Sequence, residues 1–170
     1  MAIAPTGRRE ERDGTDYLVY TRRFAAPIED VWAAITDADR LSRWIGTWEG
    51  DPESGEVTFF MTAEGDDVPG QAYQIDTCDR PRRLVTRAPS PSGVADDEWV
   101  LELDLDDEDG FTTLTFAQAM SDAEMAADVG PGWDYYLDRM VAAERGDDLD
   151  DIVFDQYLAD QAEYYRSAFA

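Results

Sequence analysis

The sequence predicts an α+β domain: a curved antiparallel sheet covered by a long C-terminal helix, with two short helices after the first strand. Three observations lead there. Asp16 to Phe24 is β-rich in composition, and Thr47 to about Met120 reads as strands punctuated by turns, the clearest of them alternating apolar and polar residues as strands with one covered face do. Between these stretches, at Pro27, the period switches to 3.6. After Met120 a helical stripe returns around Trp133, Tyr136, Leu137 and Met140.

The elements follow in order. Residues 1–15 are polar, charged and contain glycine, and read as a disordered arm. In "DYLVYTRRFA" the alternation sets Leu18, Tyr20, Arg22 and Phe24 on one side. An arginine on the core side needs a carboxylate or several carbonyls, because an unpaired buried charge is costly; the other reading is an edge position from which the guanidinium snorkels out. Pro27 suits a first helical turn, Glu29 and Asp30 sit at its positive end, and Ile28, Val31, Trp32 and Ile35 form its buried stripe. Asp37 can cap a second short helix carrying Leu41, Trp44 and Ile45.

Loop signals in "GDPESG" and "EGDDVPG" flank "EVTFFMT", where Val57, Phe59 and Met61 share a face. "QAYQIDT" sets Tyr73 beside Ile75, and "RRLVTR" ends in the Pro/Ser/Gly loop "APSPSGVADD". Trp99, Leu101, Leu103 and Leu105 then alternate with acidic residues up to a turn at Gly110, and Leu114, Phe116, Gln118 and Met120 return as the second arm of a hairpin. Gly-Pro-Gly at 130–132 reads as the start of the long helix, with Pro131 in the first position. Tyr135 points off its stripe and can lie over Arg139, and Gly146 ends the element. An acidic linker leads to a last helix, about 154–168, with Phe154, Tyr157, Leu158, Gln161 and Tyr165 on one face.

Composition removes whole classes of chemistry. The chain has 170 residues, 39 acidic against 14 basic, and a formal charge of −25. A surface this acidic repels phosphate backbones and anionic lipid, so nucleic acid and membrane surfaces are poor partners. The charge reads first as a solvated face, and a dedicated cationic partner as the alternative. There is no histidine and no lysine. A His-based triad, an imidazole zinc site, a Schiff-base nucleophile and a P-loop are therefore excluded. No cofactor motif is present, and no apolar run is long enough for a membrane span or a signal peptide, which points to a soluble, cytoplasmic protein.

The lone Cys78 reads as an inert thiol. The acidic runs at 104–109 and 147–151 lack the spaced oxygens and closing Glu of a calcium loop, so they read as solvated turns and no metal is expected. Asp134 and Asp138, one turn apart and off the apolar stripe, read as surface charges.

Four segments, "RRFAAPIEDVWAAITDADRLSRW", "DRPRRLV", "GFTTLTFAQAM" and "GPGWDYYLDRM", carry a family resemblance. Over about Asp16 to Ala143 the chain resembles the START-like helix-grip superfamily, and within it the branch named after the activator of heat-shock chaperone ATPase homologue. The resemblance implies a curved sheet around a long C-terminal helix with a cavity between them. With the arm and the linker read from composition, the chain divides into an arm (1–15), a START-like domain (16–145), and an acidic linker with a terminal helix (146–170). It also implies hydrophobic small molecules as ligands of some members, cyclase or hydrolase activity in others, and chaperone contact in the eponymous ones.

If the helix lies over the sheet, the inward residues are Trp44, Phe59, Met61, Tyr73, Ile75, Trp99 and Leu101 from the first part of the chain. Phe116, Gln118, Trp133, Leu137 and Met140 join them from the second. Several stiff aromatics meeting on one sheet are hard to pack without voids; packing that fills the space with these same side chains is the competing reading. The expected function is non-catalytic binding of a small hydrophobic or aromatic ligand. An interaction module, with a homodimer or protein partner, and a Tyr/Asp enzyme of cyclase or hydrolase type are the alternatives.

Overall fold

The computed structural model describes residues 1–90 and 98–170; the greater part of the loop expected over "APSPSGVADD" lies outside the described residues. The architecture is α+β, as the sequence predicts. Eight strands, β1 (Arg8–Arg12), β2 (Thr15–Phe24), β3 (Thr47–Glu49), β4 (Glu56–Phe60), β5 (Gln71–Asp79), β6 (Arg83–Pro89), β7 (Glu98–Glu108) and β8 (Phe111–Ala119), form one sheet. Its order is β1-β2-β8-β7-β6-β5-β4-β3. The helices are α1 (Ile28–Thr36), α2 (Ala38–Leu41), α3 (Ala123–Arg145) and α4 (Phe154–Ala168). No helix is long and apolar enough to cross a membrane among the described residues.

The chain divides into two compact units, residues 23–115 and residues 1–22 with 116–170. In the first, α1 buries Ile28, Val31, Trp32 and Ile35, and Asp37 caps α2 by accepting from the Asp39 amide. Trp44 and Trp48 fasten this corner, donating through their indole N–H to the carbonyls of Ala34 (3.0 Å) and Thr36 (2.8 Å). The antiparallel run β3 to β6, continued by β7, is held in register by pairs such as Phe59 with Gln71, Ile75 with Thr86 and Thr86 with Leu101. Its exposed face carries charge ladders: Arg87 bridges Asp76 (2.7 Å) and Glu98 (3.2 Å), and Arg83 bridges Glu102 (2.6 Å) and Asp104 (2.7 Å).

In the second unit, α3 starts eight residues before Pro131, at an N-cap where Asp122 accepts from the Met125 amide at 2.8 Å. Reading Pro131 as the first helical position is thereby corrected. Local preference is overridden by tertiary contact: the Tyr165 ring sits so close to Gly130 that a Cβ there would lie 2.4 Å from it, and the Gly130 carbonyl accepts from the Tyr20 hydroxyl at 2.6 Å. At the other end Gly146 takes the left-handed conformation, φ 78°, that terminates the helix.

The disordered arm expected over 1–15 is also corrected. Asp13 and Gly14, both at positive φ, turn β1 back onto β2, pairing Arg8 with Val19 and Arg12 with Thr15. Upstream, the Ile3 amide donates to Asp160 at 2.8 Å. The terminal helix likewise belongs to the same compact unit as α3. It buries Tyr157, Gln161 and Tyr165, whereas Phe154 and Leu158, expected on the same face, stay exposed. Tyr135 lies under Arg139, with 5.4 Å from guanidinium to ring, and its edge meets Phe154 and Tyr157.

Candidate functional site

The candidate ligand-binding residues divide between the two units, and each group is built differently. In residues 23–115, β4 and β5 set Phe59 and Tyr73 at diagonal register positions, since Phe59 faces Gln71 and Tyr73 faces Val57. Their rings meet at 5.2 Å and 56°. Diagonal neighbours on a sheet are within reach of aromatic side chains, which explains the contact.

The next strand is what shapes this face. On β6, Thr86 stands between Ile75 and Leu101, and Ala88 stands opposite Trp99. Large side chains on β5 and β7 therefore flank a line of small ones, and the relief forms an apolar trough. On this face Ala88 and Leu101 are buried, while Phe59, Met61, Tyr73, Ile75 and Trp99 are half-buried. Burial pushes the Tyr73 hydroxyl above the usual tyrosine range, so the phenol stays neutral at ordinary pH. Such a surface can remove apolar area from water and orient a ring against rings. Trp44 is spent elsewhere: its indole is buried and committed to α1.

In the second unit, Phe116, Gln118, Trp133, Leu137 and Met140 are all buried. The Phe116 and Trp133 rings lie 4.3 Å apart. The Trp133 indole N–H donates to Gln118 Oε1 at 2.6 Å. Gln118 Nε2, also buried, has no hydrogen-bond partner. Leaving a buried donor unmet costs about 1–3 kcal/mol.

A buried polar network lies in the same unit, and the reading of Asp134 and Asp138 as surface charges is corrected by it for Asp134. Asp134 is 1% exposed. Its carboxylate accepts from the Thr6 amide (3.1 Å), the Thr6 hydroxyl, the Tyr165 hydroxyl and Arg22 Nη2 (3.0 Å). Arg22 also reaches Asp138 at 3.1 Å, and Asp138 accepts from the Tyr157 hydroxyl at 2.7 Å. Burial first, then the nearby carboxylates, holds the Tyr157 and Tyr165 hydroxyls well above their usual range, and burial does the same to Tyr20.

Of the two readings of Arg22, a core-side arginine that needs a carboxylate or carbonyls and an edge arginine that snorkels out, the first is the one observed. The partner of Arg22 lies more than a hundred residues away, where helical periodicity gives no sign of it. Within this network Thr6, Tyr165 and Arg22 meet Asp134, and Arg22 and Tyr157 meet Asp138.

Comparisons with known proteins place this geometry. CalU16 from Micromonospora echinospora is similar in structure, with 25% identity, coverage of 99% of this chain and 98% of that one, and a TM-score of 0.74. A protein from Bordetella parapertussis (23% identity, 96% and 90% covered, TM-score 0.70) shares the fold. So does a conserved protein of unknown function from Enterococcus faecalis (16%, 96% and 92%, 0.71). No curated protein sequence matches the chain. The family model for the Activator of Hsp90 ATPase homolog 1-like protein matches residues 25–144. The START-like helix-grip fold expected from sequence is thus the fold observed, and the chain belongs to the family of Activator of Hsp90 ATPase homolog 1-like proteins.

Proposed function

We propose that this chain binds a small hydrophobic or aromatic molecule without transforming it. The supporting observation is the trough of residues 23–115, where Ile75, Leu101 and Trp99 stand beside Thr86 and Ala88, Phe59 meets Tyr73, and Phe59, Met61, Tyr73, Ile75 and Trp99 are half-buried. An otherwise strongly acidic chain keeps this apolar strip partly open, and apolar area is what a ligand of this class removes from water. Enclosing about 200 Å² of it, the area of a large aromatic side chain, contributes about 5 kcal/mol before the cost of lost freedom is subtracted.

Thermal unfolding of the full chain with a panel of planar aromatics and single-chain lipids tests the reading. A ligand at about 100 times its Kd stabilises by about 2.7 kcal/mol, a readable rise in Tm. A flat response across the whole panel contradicts it. The charge of −25 favours a second reading, docking on a basic protein. Capture of such a protein that is lost as salt rises supports it, because exposed charge is screened.

A further inference from the structure

Six large apolar side chains stand exposed among the described residues, and three of them, Val153, Phe154 and Leu158, fall within six positions at the start of α4. Single exposed apolar residues are ordinary on any surface, whereas a cluster marks a contact. Phe154 and Leu158 lie one turn apart and share a face of the helix. The Phe154 ring leans on α3, 4.0 Å from where a Cβ on Gly132 would stand and 5.5 Å from the half-buried Tyr135 ring, so the strip continues onto the neighbouring helix. All of these residues belong to the unit of residues 1–22 and 116–170.

Acidic groups border the strip. Asp147, Asp148, Asp150, Asp151 and Asp155 are exposed, and none of them forms an ion pair among the described residues. The sheet treats its acidic residues differently, pairing Asp76 and Glu98 with Arg87, and Glu102 and Asp104 with Arg83. A second copy of this chain docked face to face on the strip would set these carboxylates against their own kind, which repulsion opposes. A cationic partner meets both the apolar strip and its charge.

We propose that this corner of α3 and α4 docks a basic amphipathic helix of another protein. Apolar residues of that helix, one turn apart, seat on Val153, Phe154 and Leu158, and its lysines and arginines meet the bordering aspartates. The proposal rests on the second reading above, docking on a basic protein, and gives that reading a place and a partner shape.

Two peptides of leucine and lysine, each about four helical turns long, test it. One carries its leucines at i, i+3, i+4 and i+7; the other has the same composition with no common apolar face. Labelled at one end, each is titrated with the full chain by fluorescence anisotropy at about 0.15 M salt, where screening acts within about 8 Å. The patterned peptide is expected to bind wild type about tenfold more tightly than its scrambled twin. Phe154→Ser with Leu158→Ser, which leaves the charge unchanged, abolishes that preference, and in 1H–15N NMR of wild type the patterned peptide shifts the amides of 147–158. Equal affinity of the two peptides, a preference that survives in the double variant, or shifts that spare 147–158 overturns this surface and leaves docking on a basic protein standing. A dimer in sedimentation that the double variant loses also overturns it, by making a second copy the occupant. Binding of neither peptide overturns both. The amide shifts are read on wild type, so the outcome does not depend on the variant folding.

Discussion

Arg22 Nη2 lies 3.0 Å from Asp134 Oδ1, with the two side chains 10% and 1% exposed. Removing the guanidinium strands a carboxylate that has no water to turn to. Arg22→Ala is expected to destabilise by about 3–5 kcal/mol in denaturant unfolding, the range for breaking one side of a buried pair. Arg22→Lys keeps the charge but lacks the second nitrogen, Nη1, that donates to the Thr6 hydroxyl and the Thr21 carbonyl, and its loss is smaller than that of Arg22→Ala. A loss under 1 kcal/mol in Arg22→Ala would show that the pair does not hold this unit together.

Thr6 ties the N-terminal segment to the same carboxylate through its amide and its hydroxyl. Thr6→Val deletes the hydroxyl that donates to Asp134 and accepts from Arg22 Nη1 at 2.8 Å, and is expected to cost about 1–3 kcal/mol. Deleting residues 1–12 removes β1 as well and costs more. Limited proteolysis separates this from a loose arm: the native chain resists cleavage before Asp13, and Thr6→Val is cut there faster.

Gly130 is needed because Tyr165 leaves no room for a Cβ, which would sit 2.4–2.8 Å from ring atoms. Gly130→Ala gains helix propensity yet should destabilise by about 1–3 kcal/mol through overpacking. In a Tyr165→Leu background that cost shrinks, because the ring it collides with is gone. A double-mutant cycle measures the coupling.

The raised Tyr20, Tyr157 and Tyr165 hydroxyls make the fold sensitive to alkali. Above the ordinary tyrosine value of about 10 the unfolded chain releases these protons while the folded chain keeps them. The unfolded state then binds fewer protons and stability falls with pH. The contribution is whole below that value and lost as pH rises through the folded ones. Tm should therefore drop steeply above about pH 10, and Tyr165→Phe should flatten the drop while lowering Tm at neutral pH.

Much of this was legible in the chain. The period switch at Pro27, the Asp37 cap, the hairpin ending at Gly110 and the terminal helix at 154–168 are local signals, and each element formed where its signal stood. Two failures share a cause. Pro131 lies inside α3 because Tyr165 and Tyr20 hold Gly130 from distant segments, and β1 forms because Asp13-Gly14 is a hairpin turn hidden in charged sequence. The strand pattern offered a carboxylate as one partner for a core-side Arg22, but gave no sign that it would be Asp134. The small side chains of Thr86 and Ala88, which make the trough, take their meaning only from the register of three strands.

If the trough binds aromatic molecules, its rings should carry the binding energy. Phe59→Ala and Tyr73→Ala are each expected to weaken fluorene about tenfold, given the area and ring contact they remove. The charge-ladder variant Arg87→Gln on the opposite face should leave affinity unchanged. Equal loss in all three would assign the effect to general destabilisation.

The most direct measurement is a two-dimensional NMR titration of the full chain with fluorene, following the ring and methyl signals of Phe59, Met61, Tyr73, Ile75 and Trp99. Saturable shifts concentrated on these five residues are the expected result. Saturable shifts elsewhere with these five unmoved, or no saturable shift at all, would contradict an aromatic-binding trough on this sheet.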